Sequence, residues 1–410
     1  MKALVKKRPS QEEPWHQGLF YKDKPEPAIA KPDEVKLKVL AAAICGTDVS
    51  IYNATAALKN SMSSLAAPEV ITGHEFCGEF SELGVEAKKI VAGKLYSRDF
   101  NSETISAFLK ATTPAELAQS DRLLPFLKDN FYVTAEMHIV CGRCYQCTIG
   151  EGHVCRNTYI KGLHQDGAFA EWLVVPAGNL VLIAKTEIPL EIIAFMDAIG
   201  NAVHTVQAAD VIGRNVLVLG AGIQGLMAVA AARIMGAAGI FITDATDVKR
   251  GLSREKLEKN KFAVAKKLGA DYCFDVSDPS GRQALRETIS RQTKATGVDV
   301  VLEMSGHYLA YQDAFDNIRT GGTLALLGLP SGTLAVDFSK EIIFRGLTVK
   351  GVIGRRIFDT WELMRNLLTN GLVEAIVKNK IVTHDLPLEK YQEGFKALQS
   401  GEALKVILRP

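Results

Sequence analysis

The stretch from Arg214 to Met235 constrains the fold more than any other part of the chain. RNVLVLG is a short, unbroken apolar strand that runs into the glycine turn GAGIQG, and IQGLMAVAAARIM continues as an apolar helix. GIFIT follows as a second strand ending at Asp244, and DVVLEMSG, TLALLG and LTVKGVIG repeat the pattern with glycine at each C-terminal end. Buried strands alternating with helices predict an α/β fold built on a doubly wound parallel sheet over about 186–354. Before residue 185 the texture differs. EVKLKVLAAAI and FAEWLVVPAGNLVLI read as strands bounded by Gly and Pro, which predicts a second, β-rich domain. After about residue 355 a helix around TWELMRNLLTNG leads to the strand ALKVILRP, expected to return to the first domain.

The glycine turn has the spacing of a dinucleotide site. Gly220 permits a tight turn, Gly222 lets backbone amides approach a pyrophosphate, and Gly225 lets the helix pack on the strand. Ile223 and Gln224 open the helix, whose positive N-terminus favours phosphate. Asp244 closes the next strand, where a carboxylate accepts hydrogen bonds from the adenosine ribose and repels a 2′-phosphate. NAD is therefore expected ahead of NADP, a preference that Lys249 and Arg250, close behind, temper.

Cys141, Cys144, Cys147 and Cys155 form a second signal. Buried thiols or disulfides would also use cysteines, but four of the chain's seven fall within fifteen residues, with Gly142, Gly150 and Gly152 supplying turns. That spacing predicts a tetrahedral zinc cage with every position filled by thiolate, hence a structural metal. Cys45 in CGTD and His74-Glu75 in GHE are weak signals singly. Together, Cys, His and carboxylate make a donor set suited to a catalytic zinc with a position left open, where a hydroxyl group becomes acidic.

The rest of the chain narrows the class. At 410 residues it needs more than one core. A formal charge of +2 gives no reason to expect nucleic acid or a membrane surface as partner. The opening MKALVKKRPSQEEPW has too short an apolar run for a signal peptide, and reduced metal-binding thiols suit the cytoplasm.

CGTDVSIYN, GHE, EMHIVCGRCYQC, CRNT, FMDAIGNAVHT, GAGIQG, LEMSG, GRRIFDTW and the terminal GEALKVIL together resemble the zinc-dependent medium-chain dehydrogenase/reductase family, and most nearly its threonine dehydrogenase branch. The resemblance implies a GroES-like catalytic domain (1–185 and 355–410), a Rossmann domain (186–354), two zincs per chain, a small alcohol or ketone substrate and a homotetramer. Carried over by position, it implies that Cys45 and His74 ligate the catalytic zinc, with Glu75 as ligand or near-ligand and Asp197 as the acid that approaches the metal. It implies that Thr47 bonds the substrate oxygen and passes its proton outward, that His138 lies near the substrate, and that Arg355 lies on the cofactor and substrate side. The bland reading of Arg355 is a solvated turn residue.

Three departures bear on the substrate. Ser50 stands where the threonine dehydrogenases carry a histidine that completes the proton relay. Serine bonds both ways but cannot hold a proton near neutral pH. About thirty-five extra residues, near 93–130, lie between GHE and the cysteine lobe; Thr113-Pro114-Ala115-Glu116 there reads as a capping box, so the insertion is expected to be helical. The segment KRGLSREKLEKNK after Asp244 is also longer than expected; it reads as a solvated helical face or as a reach toward the adenine end of the cofactor. Cys77, Cys273 and most histidines read as structural, with His204 worth checking because it shares a helix with Asp197. The sequence thus predicts oxidation of a secondary alcohol, with threonine or a related 2-amino-3-hydroxy acid as first substrate and a polyol, cyclitol or modified amino alcohol as the alternative. A non-catalytic scaffold or sensor that binds NAD and zinc is the rival from another class, and a zinc-free reductase of the same superfamily is a third possibility.

Overall fold

In the computed structural model the described residues are 1–10, 14–63, 67–248 and 251–410. The chain divides into two compact units, one of residues 1–197, 384–395 and 406–410, the other of 198–383 and 396–405. The divisions at 197 and 383 fall later than the expected 185 and 354. Helix Asp359–Leu367 and the helical turns after it stay with the second unit because their apolar faces (Trp361, Met364, Leu368, Leu372) are buried.

The first unit is built on antiparallel sheets. Glu34–Ala43 is its spine, paired to Phe76–Leu83, to Trp172–Pro176 and to the closing strand Lys405–Arg409. The return of the C-terminal strand is therefore as the sequence predicts, through Ile407 opposite Ala43. Val35, Leu37 and Val39 alternate into the core, while the Lys36 ammonium lies 5.2 Å from the centre of the Trp172 ring and pairs with Glu26 and Glu82. A smaller sheet joins Phe20–Asp23, Lys2–Lys7 and Glu69–Ile71.

The insertion is helical, as its capping box predicts. Thr113 and Glu116 satisfy one another's backbone N–H groups at 2.8 and 3.3 Å, with Pro114 at the first helical position. Helices Glu103–Lys110, Pro114–Gln119 and Leu123–Asn130 follow one another, the break falling at the extended Ser120. The expected start at 93 lies inside a longer helix, Val85–Tyr96, so the segment grows out of an existing element. Phe108 stacks on Phe126, and Phe126 and Phe100 meet Phe131 of the sheet edge-on, which anchors the insertion through its own aromatic cluster.

The second unit is the predicted parallel sheet, in the order Tyr272–Asp275, Gly239–Asp244, Asn215–Leu219, Val298–Glu303, Ile318–Leu326, Thr348–Gly351. Val216–Leu219, Ile240–Ile242 and Val300–Leu302 are buried throughout, which is why these strands read as unbroken apolar runs. Chain order reverses between Asn215–Leu219 and Val298–Glu303, and in such sheets ligands bind at the carboxyl ends of the strands beside that switch. Tyr272–Asp275 was not among the predicted strands; its four residues are only half-buried, so it lacks the apolar signature of the others.

Candidate active site

The glycine turn is shaped for close packing beneath and open approach above. Gly220 has φ +102°, and a Cβ there would lie 2.9 Å from the Ser305 Cβ. A Cβ on Gly225 would sit 1.8 Å from the Gly220 carbonyl oxygen, so only glycine lets helix Ile223–Ile234 start this near the strand. Gly222, at the helix N-cap, has nothing within 4 Å of where a Cβ would stand. That open face leaves room for a phosphate at the helix N-terminus, and Gln224 adds a buried side-chain oxygen with no hydrogen-bond partner.

Asp244 ends its strand as predicted, but its carboxylate is already engaged. Oδ1 accepts the Ala245 N–H at 2.8 Å, and Oδ2 pairs with the Lys261 ammonium at 2.7 Å. Beside it, Asp275, directly opposite in register, is paired with Arg254 at 2.8 Å. The segment 253–262 is therefore more than a solvated face: it brings one cation to each of two strand-end carboxylates. Lys249 and Arg250, read above as tempering the NAD preference, lie outside the described residues.

The four lobe cysteines converge. Sγ–Sγ separations are 3.6 Å for Cys144–Cys147, 3.7 Å for Cys144–Cys155 and 3.6 Å for Cys155–Cys141. Four sulfurs held about 2.3 Å from one tetrahedral ion stand about 3.8 Å apart, whereas a disulfide needs about 2.05 Å. All seven cysteines are free thiols. Peptide N–H groups of Cys141 and Asn157 point at Cys155 Sγ, and the Arg143 N–H, then the Asn157 side chain, bring the Cys141 thiol down to about 6. Cys144 is lowered likewise, while burial and then the neighbouring Cys144 and Cys155 thiols push Cys147 up to about 12, so the cluster mixes thiolates with a thiol that a zinc ion would have to deprotonate.

The second donor set also assembles. Cys45, His74 and Glu75 are buried and offer ligand atoms all within 4.8 Å of one another. Cys45 caps helix Gly46–Tyr52, and Asp48, which the sequence reading missed, joins the set from below: Oδ2 accepts the Cys45 N–H at 3.0 Å and Oδ1 lies 3.6 Å from His74 Nδ1. Burial alone would lower the His74 pKa, but the charges of Asp48 and Cys45 outweigh it and hold it well above its ordinary value. A buried imidazole stabilised as a cation between a carboxylate and a thiol is a position that a divalent cation fits, with Asp48 placed to orient the histidine ring.

Thr47 and Ser50 lie three residues apart on that helix, half-buried. His138 is bound through Nδ1 to Oε1 of the fully buried Glu136 at 2.8 Å, and the same oxygen accepts the His138 backbone N–H at 3.0 Å; Glu136 is the second residue that the sequence reading missed. Asp197 is buried but is not gathered with Cys45, His74 and Glu75. Arg355 is not a solvated turn residue: it is 1% exposed, its guanidinium lies 5.5 Å from the Trp361 ring and donates to Asn201, and its stem crosses Gly200, where a Cβ would collide at 2.4 Å. His204 Nδ1 sits 2.9 Å from the Gly354 carbonyl oxygen, a structural tie within the second unit. Cys77 is fully buried, which pushes its thiol far up, and burial pushes Cys273 up to about 11; both match inert thiols.

Comparison with known proteins gives matches along the whole chain. Residues 31–99 match the family described as alcohol dehydrogenase GroES-like domain, and 224–370 the family described as zinc-binding dehydrogenase. L-threonine 3-dehydrogenase of Caldanaerobacter subterraneus is 37% identical over 379 residues, 92% of each chain. Among solved structures, an alcohol dehydrogenase of Thermotoga maritima superposes with TM-score 0.75 at 22% identity, covering 100% of this chain and 99% of that one. A zinc-binding dehydrogenase of Sinorhizobium meliloti solved with NADP gives TM-score 0.71 at 26% identity, with the same coverage.

Proposed function

The chain belongs to the zinc-dependent medium-chain dehydrogenase/reductase family, and from that premise we propose that it oxidises the secondary hydroxyl of L-threonine or a closely related 2-amino-3-hydroxy acid to the ketone. Its class is that of a zinc-dependent alcohol dehydrogenase using a nicotinamide dinucleotide. The observation that carries the reading is the buried Cys45, His74 and Glu75 set, closed on one side by Asp48. Zinc, when bound, supplies Lewis-acid polarisation and the nicotinamide a two-electron acceptor.

The chain's own residues do the remainder. Cys45, His74 and Glu75 would hold the catalytic metal, with Asp197, which stands outside that gathered set, able to approach only as a more distant acid, and the four lobe cysteines would hold the structural one. Thr47 takes the hydroxyl proton of the substrate while giving its own hydroxyl proton outward, so that it carries no extra charge. Ser50, one turn on, passes that proton by hydrogen bonding alone and stores none, so release goes to water. Glu136 fixes the ring of His138 beside the substrate. Arg355 orients the cofactor side from a buried seat. Gly220, Gly222, Ile223, Gln224, Gly225 and Asp244 take the dinucleotide, with NAD preferred.

We also assign a homo-oligomer, a tetramer by family, in a reducing cytoplasm. The strand Thr348–Gly351 is solvent-exposed along its length, and Phe338, Ile343 and Phe344 in the segment that leads into it are exposed, Phe344 by 84%. An open sheet edge flanked by large apolar side chains is suited to a second copy of the chain.

The test is reduction of NAD and NADP by zinc-loaded protein over L-threonine, other amino alcohols, polyols and cyclitols, with Ser50→His alongside. Turnover of L-threonine, raised and shifted in pH profile by Ser50→His, supports the reading. Turnover only of a polyol moves the substrate, and no turnover of any alcohol favours a scaffold.

A further inference from the structure

Glu303 is the least explained charged residue of the second unit. It ends the strand Val298–Glu303, opposite Leu219 on one side and Leu326 on the other, and is 0% exposed. Its two carboxyl oxygens are treated unequally. Oε1 accepts three hydrogen bonds, from the Ser305 N–H at 2.8 Å, the Ser305 hydroxyl and the Gly306 N–H at 3.0 Å. Oε2 is buried with no partner. Burial pushes the carboxyl above its ordinary range, against the pull of the Ser305 and Gly306 donors. An interior carboxyl with one oxygen unmatched is costly, and a plain sheet end has no need of one.

Three loops meet around it. The main-chain oxygen of Glu303 takes the Leu327 and Gly328 N–H groups at 3.0 and 3.2 Å. A Cβ on Gly328 would stand 2.2 Å from the Gly306 nitrogen and 2.5 Å from Oε2, and a Cβ on Gly220 would strike Ser305. The loop after Leu326, the loop 304–307 and the glycine turn are thus interlocked, with Glu303 as the common post. Sheet order gives these loops a direction. The glycine turn takes the pyrophosphate and Asp244, one strand over, the adenosine ribose, so the other half of the molecule must run the opposite way, across the ends of Val298–Glu303 and Ile318–Leu326.

We infer that Glu303 is a positioning residue for the nicotinamide half of the dinucleotide, acting through Ser305 and the loops at 304–307 and 327–329. This rests on the dehydrogenase reading above, so the experiment separates the two. Dissociation constants for NADH and for ADP-ribose, which lacks the nicotinamide, are measured by calorimetry on the full-length wild type and on Glu303→Gln, Glu303→Leu and Ser305→Ala. Gln keeps the acceptor at Oε1 and should bind NADH within about 3-fold of wild type; Leu removes it and should weaken NADH at least about 10-fold while moving ADP-ribose by less than about 3-fold. Ser305→Ala, which leaves the carboxyl in place if the Leu variant does not fold, should weaken NADH about 3- to 10-fold with the same selectivity. Equal weakening of both ligands, a Gln variant as poor as Leu, or unchanged NADH binding in Ser305→Ala would overturn the inference with the dehydrogenase reading intact. A wild type that binds neither NADH nor NADPH would sink both.

Discussion

Asp48→Asn is the sharpest probe of the open donor set. Asp48 is 1% exposed, and its two oxygens serve two of the gathered donors, accepting the Cys45 N–H at 3.0 Å and facing His74 Nδ1 at 3.6 Å. Asparagine keeps an oxygen for Cys45, so the helix cap survives and the fold should hold. It removes the negative charge that sets the imidazole's orientation and basicity, and its amide group can turn a donor toward Nδ1. Loss of such an outer partner typically costs 10- to 100-fold in metal affinity, or about 1.4–2.7 kcal/mol. The assay is zinc per chain by mass spectrometry after dialysis against chelators of graded strength. One equivalent should leave the variant at chelator strengths about 10- to 100-fold lower than for wild type, dehydrogenase activity should fall with it, and the second equivalent should stay in the cysteine lobe. Two equivalents retained as tightly as in wild type would refute the orienting role. Loss of both together would show that the lobe and the open set are not independent.

Other substitutions test other links. Cys144→Ser removes one sulfur from separations of 3.6 and 3.7 Å, so the lobe zinc should be lost and the melting temperature should drop by several degrees, read by calorimetry, with one zinc remaining. Lys261→Met strips the ammonium from Asp244 and leaves a bare carboxylate; binding of NADP should weaken about 10-fold relative to NAD, measured by titration of both reduced cofactors. Burial lowers Lys6 from 10.5 to about 8, so between pH 8 and 10.5 the unfolded chain holds the extra proton and stability rises with pH. The melting temperature of wild type relative to Lys6→Met should therefore climb across that window, and a flat difference would show that the amine titrates normally.

What the sequence could disclose follows from how far apart the partners lie. The parallel sheet was legible because central strands are apolar on both faces, and the cysteine lobe because cysteines three residues apart leave a visible spacing. The capping box at Thr113 and Glu116 was legible for the same reason, being a contact across one turn. Half-buried Tyr272–Asp275 escaped because an edge strand carries no such run. The division after residue 383 escaped because the helices before it are amphipathic and read alike whichever core they face.

The residues that tune the sites divide along the same line, with one instructive complication. Asp48 lies three residues after Cys45 and Glu136 two before His138, so both sit within reach of a careful local reading. Neither was found, because an acid at a helix start also reads as a cap and an acid beside a histidine as a solvated pair. It is burial that changes their meaning, since a fully buried carboxylate must answer to a specific donor. Lys261 and Asp244 are seventeen residues apart, and Glu303 is joined to Gly328 across twenty-five, so no spacing rule brings either pair together. The donor clusters could be read from residue type and the fold from periodicity. The groups that orient them depend on which acids lose their water, and that is decided only when the strands are stacked.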